Sequence, residues 1–323
     1  MTVDLSTRYL GLKLPHPILP GAGPLADDLD AARRLEDAGA AAIVMRSLFE
    51  EQVAHGPLAS EAAPPRAAFR LGPHEYLELL RQLKAAVGVP VIASINGTTP
   101  GGWLEYARWI EAAGADALEL NMYHMVTDPL ECAAAVEERA LEVVRAVRAQ
   151  VKLPLAVKLS TFYTALAHFA LALEGAGADG VILFNRFYQP DIDLATRQIV
   201  PTLRLSDPSE LRLRVHWLAA LSGVVHCSLA CSGGVHGSDD AVKAVLAGAD
   251  VVQLTSALVL HGPDHLRVVL DGLRRWLDER GHASLDEVRG SMSLRRVANP
   301  QAYERTNYVG VLQRWEGPGA ERA

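Results

Sequence analysis

Short, almost wholly apolar runs alternate along this chain with longer segments in which apolar residues return every third or fourth position. One unit recurs four times: LEDAGAAAIVM from Leu35, IEAAGADALEL from Ile110, LEGAGADGVIL from Leu173 and VLAGADVVQL from Val245. Each reads as a helix end, a glycine stop and a short strand apolar on both faces. The copies start roughly 60 to 75 residues apart, room for two strand–helix units of some 30 residues each. A second strand falls where that spacing requires it: Pro17–Gly23 before the first copy, then Val89–Gly97, Leu153–Ser160 and Val225–Gly234 in the gaps. Amphipathic segments link the strands at Ala31–Asp37, Glu75–Val87, Trp103–Ala113, Ala133–Val151, Ala165–Gly175, Pro208–Leu221, Asp239–Leu246 and Asp264–Glu279. The sixth carries a start signal, with Asp207 as cap, Pro208 in the first helical position and Glu210 two residues on.

Eight such units predict an α/β fold, a (β/α)8 TIM barrel over residues 10–280, followed by a C-terminal helical extension over residues 281–323 within one domain. The helical part of that extension is expected between Leu285 and Trp315. A doubly wound sheet is the alternative, and it would more often carry an early G-x-G-x-x-G, which this chain lacks.

Active sites of such barrels form at the carboxyl ends of the strands. Those ends read Gly21-Ala22-Gly23, Arg46-Ser47, Ser94 with Asn96, Asn121, Lys158, Asn185-Arg186, Ser232-Gly233-Gly234 and Thr255-Ser256. Any one of them is an ordinary polar turn, but all eight are small, polar or cationic. The last two ends suit a phosphate, because glycine lets main-chain N–H groups approach an anion closely. Lys158 stands inside the apolar run LAVKLS. A lysine there is costly unless paired or functional. It either places charge beside an anionic cofactor or snorkels to the rim.

Composition narrows the function. The 323 residues carry a formal net charge of -7, with no basic run longer than a pair, so nucleic acid and anionic membranes are poor partners. The first residues, MTVDLSTRYLGLKLP, lack the basic start and apolar core of a signal peptide. No apolar stretch reaches the roughly 18 residues of a spanning helix. Cys132, Cys227 and Cys231 form no C-x-x-C pair, so neither a zinc site nor an iron–sulfur cluster is signalled. The expectation is a cytoplasmic protein, in the form of a homodimer.

The segments HPILPGAG, ELN, LAVKL, FN, CSGGV and QLTSAL follow the order and spacing of the class 1 dihydroorotate dehydrogenases, which are FMN-binding barrels. From Leu10 to Trp276 the chain resembles that family. It is most similar to the branch labelled dihydroorotate dehydrogenase-like, which also shows SLFEEQ, NRFYQPDIDL and GSMS. The resemblance implies FMN as cofactor. It implies that Gly21, Ala22 and Gly23 line the flavin, with Ser47 and Asn96 also in the cofactor site. Asn121 and Lys158 would bond the ring, and Ser232, Gly233, Gly234, Thr255 and Ser256 would hold the phosphate. Asn121 and Asn185 would also face the substrate.

The substrate half departs from the family. Its members read N-x-S-C-P-N or N-x-S-x-P-N after the fourth strand, and the fourth position of that motif is the base. Here the run is Asn121-Met122-Tyr123-His124-Met125-Val126, so His124 stands at the base position and Val126 replaces an asparagine. The family's asparagine-rich loop after the second strand has no match in HGPLASEAAPPRAAFRLGPHEY. Arg186 replaces a serine and Arg46 a lysine. His124 is a candidate general base with Tyr123 as alternative acid, or else a loop histidine without a role. Arg46 and Arg186 either grip a substrate carboxylate or pair with acidic neighbours.

The expectation is an FMN-dependent oxidoreductase that moves a hydride between a small C–C substrate and flavin N5, with a rebuilt substrate site. The lack of a membrane-binding helix argues against a quinone-linked type. Any iron–sulfur redox partner would be a separate protein. Two rivals stand. One is a non-redox lyase or isomerase acting on a phosphorylated substrate, with Lys158 as Schiff-base residue. The other is a flavin-binding subunit of a larger redox complex.

Overall fold

The apolar runs become strands because their side chains find two apolar environments, one inside the barrel and one beneath the helices. The computed structural model describes residues 3–53, 69–99, 101 and 103–314. It begins with a hairpin, β1 (Thr7–Tyr9) and β2 (Leu12–Leu14). The eight barrel strands are β3 (Ile18–Pro20), β4 (Ile43–Phe49), β5 (Val91–Asn96), β6 (Ala117–Asn121), β7 (Leu155–Leu159), β8 (Gly180–Leu183), β11 (Ser228–Ser232) and β12 (Val251–Leu254), with a second hairpin, β9 (Asp191–Asp193) and β10 (Gln198–Val200), after the sixth. All eight run parallel, in the spatial order β3-β12-β11-β8-β7-β6-β5-β4. Ala41 N–H donates to the Ile18 carbonyl at 3.1 Å, linking the first and last strands of that sheet and nearly closing the barrel.

Helices cover the outside: α1 (Leu29–Asp37), α2 (Glu50–Val53), α3 (Pro73–Ala86), α4 (Leu104–Ala112), α5 (Ala133–Gln150), α6 (Leu166–Gly175), α7 (Leu211–Leu221), α8 (Ser238–Ala247), α9 (Ser256–His261) and α10 (His265–Glu279). The expected (β/α)8 barrel is therefore the fold. Asp207 caps as its sequence position predicts, accepting from Ser209 N–H, but the first turn, Pro208–Glu210, is a 3-10 turn before α7 begins. The segment after the barrel forms α11 (Leu285–Val288), a 3-10 turn at Pro300–Tyr303 and α12 (Arg305–Gln313). Trp315 lies outside the described residues.

Alternation sorts each strand. Ile43, Ala93, Leu118, Leu120, Val157 and Leu159 face the helices, while Val44, Ile92, Ala117, Ala156, Ile182, Ala230 and Val251 point inward. Several of the inward residues are alanines, which leaves room at the amino-terminal end for Tyr9, Leu10 and Leu14 of the hairpin. These three are almost wholly buried. Leu10 N–H donates to Ser228 Oγ and Thr7 Oγ1 to the Asp250 carbonyl, so the hairpin is fixed to the strand starts. Neither hairpin was foreseen, because each strand has only three residues and no long alternating run.

Among the described residues, no helix is long and apolar enough to cross a membrane, and no group of three His, Cys, Asp or Glu is placed to hold a metal ion. The cysteines are free. Burial pushes the thiols of Cys227 and Cys231 up to about 12, which leaves neither as a ready thiolate.

Candidate active site

Two residues further along four of the inward faces, the barrel lining changes from apolar to polar. Above Ile92, Ala117, Ala156 and Val251 stand Ser94, Glu119, Lys158 and Gln253, all buried. A side chain inside a closed barrel must find its partners there, and these do. Lys158 Nζ donates to Glu119 Oε1 at 3.3 Å and to Gln253 Oε1 at 3.4 Å, and Gln253 Nε2 donates to Glu119 Oε2 at 2.9 Å. Lys158 therefore does not snorkel to solvent; it is an ion pair inside the barrel, with 4 % of its surface exposed. Across the same layer Ser47 and Ser94 share a hydrogen bond of 2.8 Å. A register shift in β4 between Val44 and Ser47 sets the Ser47 position.

The next step up is the rim. Asn96 and Asn121 end β5 and β6 as neighbours in register. Asn185 Nδ2 donates to Asn121 Oδ1 at 2.8 Å, bringing together two residues that lie 64 positions apart. The Tyr123 hydroxyl accepts from Tyr188 N–H at 2.8 Å, which anchors the loop after β6 to the loop after β8. His124 is exposed and lines a cavity of its own.

The opposite side of the mouth is a main-chain cradle. Gly233 and Gly234 follow β11 with φ of +86° and +80°, which glycine adopts without strain. A Cβ on Gly234 would stand 2.6 Å from Leu211 N, main chain that closes the position to other residues, and one on Gly21 would stand 2.6 Å from Thr255 Oγ1, which would have to turn away. Gly234 N–H donates to Ser206 Oγ at 3.2 Å, and the Ser206 hydroxyl and N–H both reach Ser256 Oγ, at 2.9 and 3.0 Å. Beneath them the buried Arg214 donates through Nε to the Ser232 carbonyl and pairs with Glu210.

Arg46 and Arg186 are each bound by a carboxylate. Arg46 makes a two-pronged pair with Asp27 at 2.9 and 2.7 Å, and Arg70 also reaches Asp27. Arg186 donates to Glu210 Oε1 and to the Arg204 carbonyl, both at 2.6 Å. Pairing with acidic neighbours is thus what the structure displays for both. Each carboxylate serves two arginines, so one unmatched positive charge remains at each cluster. The Glu210 cluster lies directly under the glycine pair, where a phosphate would profit from it.

Four contributors escaped the sequence reading. Glu119 and Gln253 could have been found from their strand positions, since Glu119 precedes Asn121 by two and so shares its face. Ser206 and Arg214 come from the loop after β8 and from α7, a region marked in the sequence by the cap Asp207 and the amphipathic run Pro208–Leu221. The loop after the second strand falls largely on residues 54–68, outside the described residues.

The donor set fits FMN. Glycines with no space for a Cβ, hydroxyls and an excess cation meet at one side of the mouth, and a buried lysine and two amides at the other. A family model described as dihydroorotate dehydrogenase matches residues 71–277. A protein of Aeropyrum pernix, described as a putative dihydroorotate dehydrogenase A (fumarate), is 32 % identical over 301 residues, 89 % of this chain and 97 % of that protein. The catalytic subunit of dihydroorotate dehydrogenase B (NAD(+)) of Methanocella arvoryzae is 31 % identical over 290 residues, 87 % of this chain and 95 % of its own length. Its counterpart in Pyrococcus abyssi is 28 % identical over 304 residues, 88 % and 98 % of the two chains.

Proposed function

The chain belongs to the dihydroorotate dehydrogenase family, and from that premise we propose that it is an FMN-dependent oxidoreductase whose substrate is a small C–C compound other than dihydroorotate. The observation that carries the flavin half is the glycine cradle at the mouth, facing Asn121, Asn185 and the buried Lys158. Gly233, Gly234, Ser206, Ser232, Thr255 and Ser256 would hold the phosphate. Gly21, Ala22 and Gly23 would line the ring, with Ser47, Asn96, Asn121 and Lys158 bonding its polar edge. Bound FMN would exchange a hydride at N5 with the substrate carbon.

The protein's own part is to orient the substrate, exclude water and move one proton. Asn121 and Asn185, tied to each other, present their remaining amide groups to the substrate. Tyr123 is fixed by Tyr188 N–H. His124, with no hydrogen-bond partner among the described residues, is free to take the proton from the carbon next to the hydride donor. Removing the imidazole in His124→Ala should slow reduction by the true substrate about 10²-fold while leaving FMN content unchanged. Full activity in both His124→Ala and Tyr123→Phe would remove the proton-transfer role from this loop.

Loss of the dihydroorotate contacts supports the altered substrate. Val126 stands where an amide would be, and the cations Arg46 and Arg186 are already paired. A polar ring left without partners in a closed site loses a few kcal/mol. The purified protein should show a flavin absorption band, and anaerobic dihydroorotate should bleach it slowly and incompletely. A colourless protein would sink the flavin assignment, and rapid stoichiometric bleaching would restore dihydroorotate as substrate.

A second reading concerns the assembly. Two of the relatives above are described as catalytic subunits. That wording supports a separate redox partner for this chain; a cytoplasmic homodimer is the form we propose for the chain itself. The lyase reading weakens, because Lys158 is held by Glu119 and Gln253 where a Schiff base needs a free amine.

A further inference from the structure

His124 opens onto a cavity of about 460 Å³ between the loop after β6, α5, the loop after β7 and Phe187. Its lining includes neither Asn121 nor Asn185, and it shares no residue with the glycine cradle. Its wall is largely aromatic and apolar. Phe162 and Phe187 meet edge to face, with centroids 4.5 Å apart and planes at 65°. Met125 and Val136 add apolar surface. Phe162 keeps 66 % of its surface exposed. A large ring left open at a cavity mouth beside a candidate base is a contact waiting for an apolar group.

The charge on this wall has one sign. Glu131 and Glu137 both line the cavity, and no lysine or arginine does. Glu131 is neutralised by Arg139. Glu137 has no hydrogen-bond or ion-pair partner among the described residues. Its charge is felt by Tyr163, whose hydroxyl is pushed up to about 12 by burial first and by Glu137 second. The excess cations of the mouth belong to the Asp27 and Glu210 clusters, and none of their arginines or carboxylates lines this cavity. A carboxylate entering here would meet the unpaired Glu137, and the cation beside the wall, Arg139, is already held by Glu131.

We propose that this cavity holds the body of the substrate, and that it selects an aromatic or bulky apolar group bearing no negative charge, with a neutral or cationic end toward Glu137. The assignment rests on His124 belonging to the reaction site. It predicts a substrate class that differs from an anionic pyrimidine in both charge and polarity.

Three probes of one shape test it by calorimetry on the protein as purified: cinnamamide (neutral), cinnamate (anionic) and N-(2-aminoethyl)cinnamamide (cationic), with orotate as the family-type comparison. Cinnamamide should bind, cinnamate about fivefold more weakly and the aminoethyl amide about fivefold more tightly, the reach of one partly exposed charge. Glu137→Gln should erase the difference between the cationic and neutral probes. Phe162→Ala should weaken all three about tenfold without changing their order. Binding of cinnamate or orotate as tight as that of cinnamamide, no detectable binding of any probe, or unchanged affinities in Phe162→Ala would each overturn the proposal. The two readings fail separately. A colourless protein that still ranks the probes as stated loses the flavin and keeps the cavity, while a yellow one that prefers cinnamate keeps the flavin and loses the cavity.

Discussion

Replacing Lys158 by alanine should destabilise the barrel by about 3–5 kcal/mol, the usual cost of removing one partner of a buried ion pair. The reason lies in what remains. Glu119 has 1 % of its surface exposed, and its second oxygen already accepts from Gln253. Without Lys158 the carboxylate keeps one amide donor and loses its counter-charge in a place water does not reach. Urea unfolding of the protein freed of cofactor measures this. The double variant Lys158→Met with Glu119→Gln should recover most of the loss, because both charges are then gone and the volume is nearly kept. A cost below about 1 kcal/mol for Lys158→Ala would show that the pair contributes no more than a surface salt bridge. In the loaded protein the same substitution should lower the flavin reduction potential, since a fixed cation no longer favours the reduced, anionic ring.

The second large effect belongs to Gly234. Valine there must hold φ near +80° and place its Cβ 2.6 Å from the main chain of Leu211. Strain of that kind costs about 1–3 kcal/mol, which a barrel of ordinary stability survives. The cradle does not survive it, because the N–H that meets Ser206 must turn or shift. Each charge-assisted hydrogen bond lost to a phosphate is worth about 1.5–3 kcal/mol, or about 10- to 100-fold in affinity. FMN should therefore be lost on purification while the far-ultraviolet circular dichroism stays that of a folded barrel. Gly11→Val supplies the control: its φ is +75° and a Cβ there meets nothing within 4 Å, so it carries backbone strain without touching the cradle. Normal flavin content in Gly234→Val would sink the phosphate assignment.

The barrel was legible because its evidence is local. A helix end, a glycine and an apolar run fit within about a dozen residues, and alternation then decides which side chain faces inward. Asn121 and Lys158 were readable for the same reason, each being a polar residue in a strand that is mostly apolar. What holds them was not. Gln253 meets Glu119 across 134 positions of sequence, and nothing local in either strand predicts the other. Arg46 and Arg186 could be recognised as rim cations, yet their partners Asp27 and Glu210 depend on how separate loops meet. Ser206 was overlooked beside the stronger signal of Asp207, although it is Ser206 that reaches the glycine pair.

The small hairpin at the amino-terminal end would shape the traffic of the proposed reaction. Among the described residues, Tyr9, Leu10 and Leu14 cork the barrel from below, against a buried layer rich in alanine. Among these residues the barrel is therefore closed at its amino-terminal end, and its polar interior faces the carboxyl-end mouth. Under the proposed flavin chemistry, a small donor and a small acceptor of electrons would share that mouth, and the first product would leave before the next reactant enters. A carrier that takes electrons through the protein wall, without entering, would escape the queue.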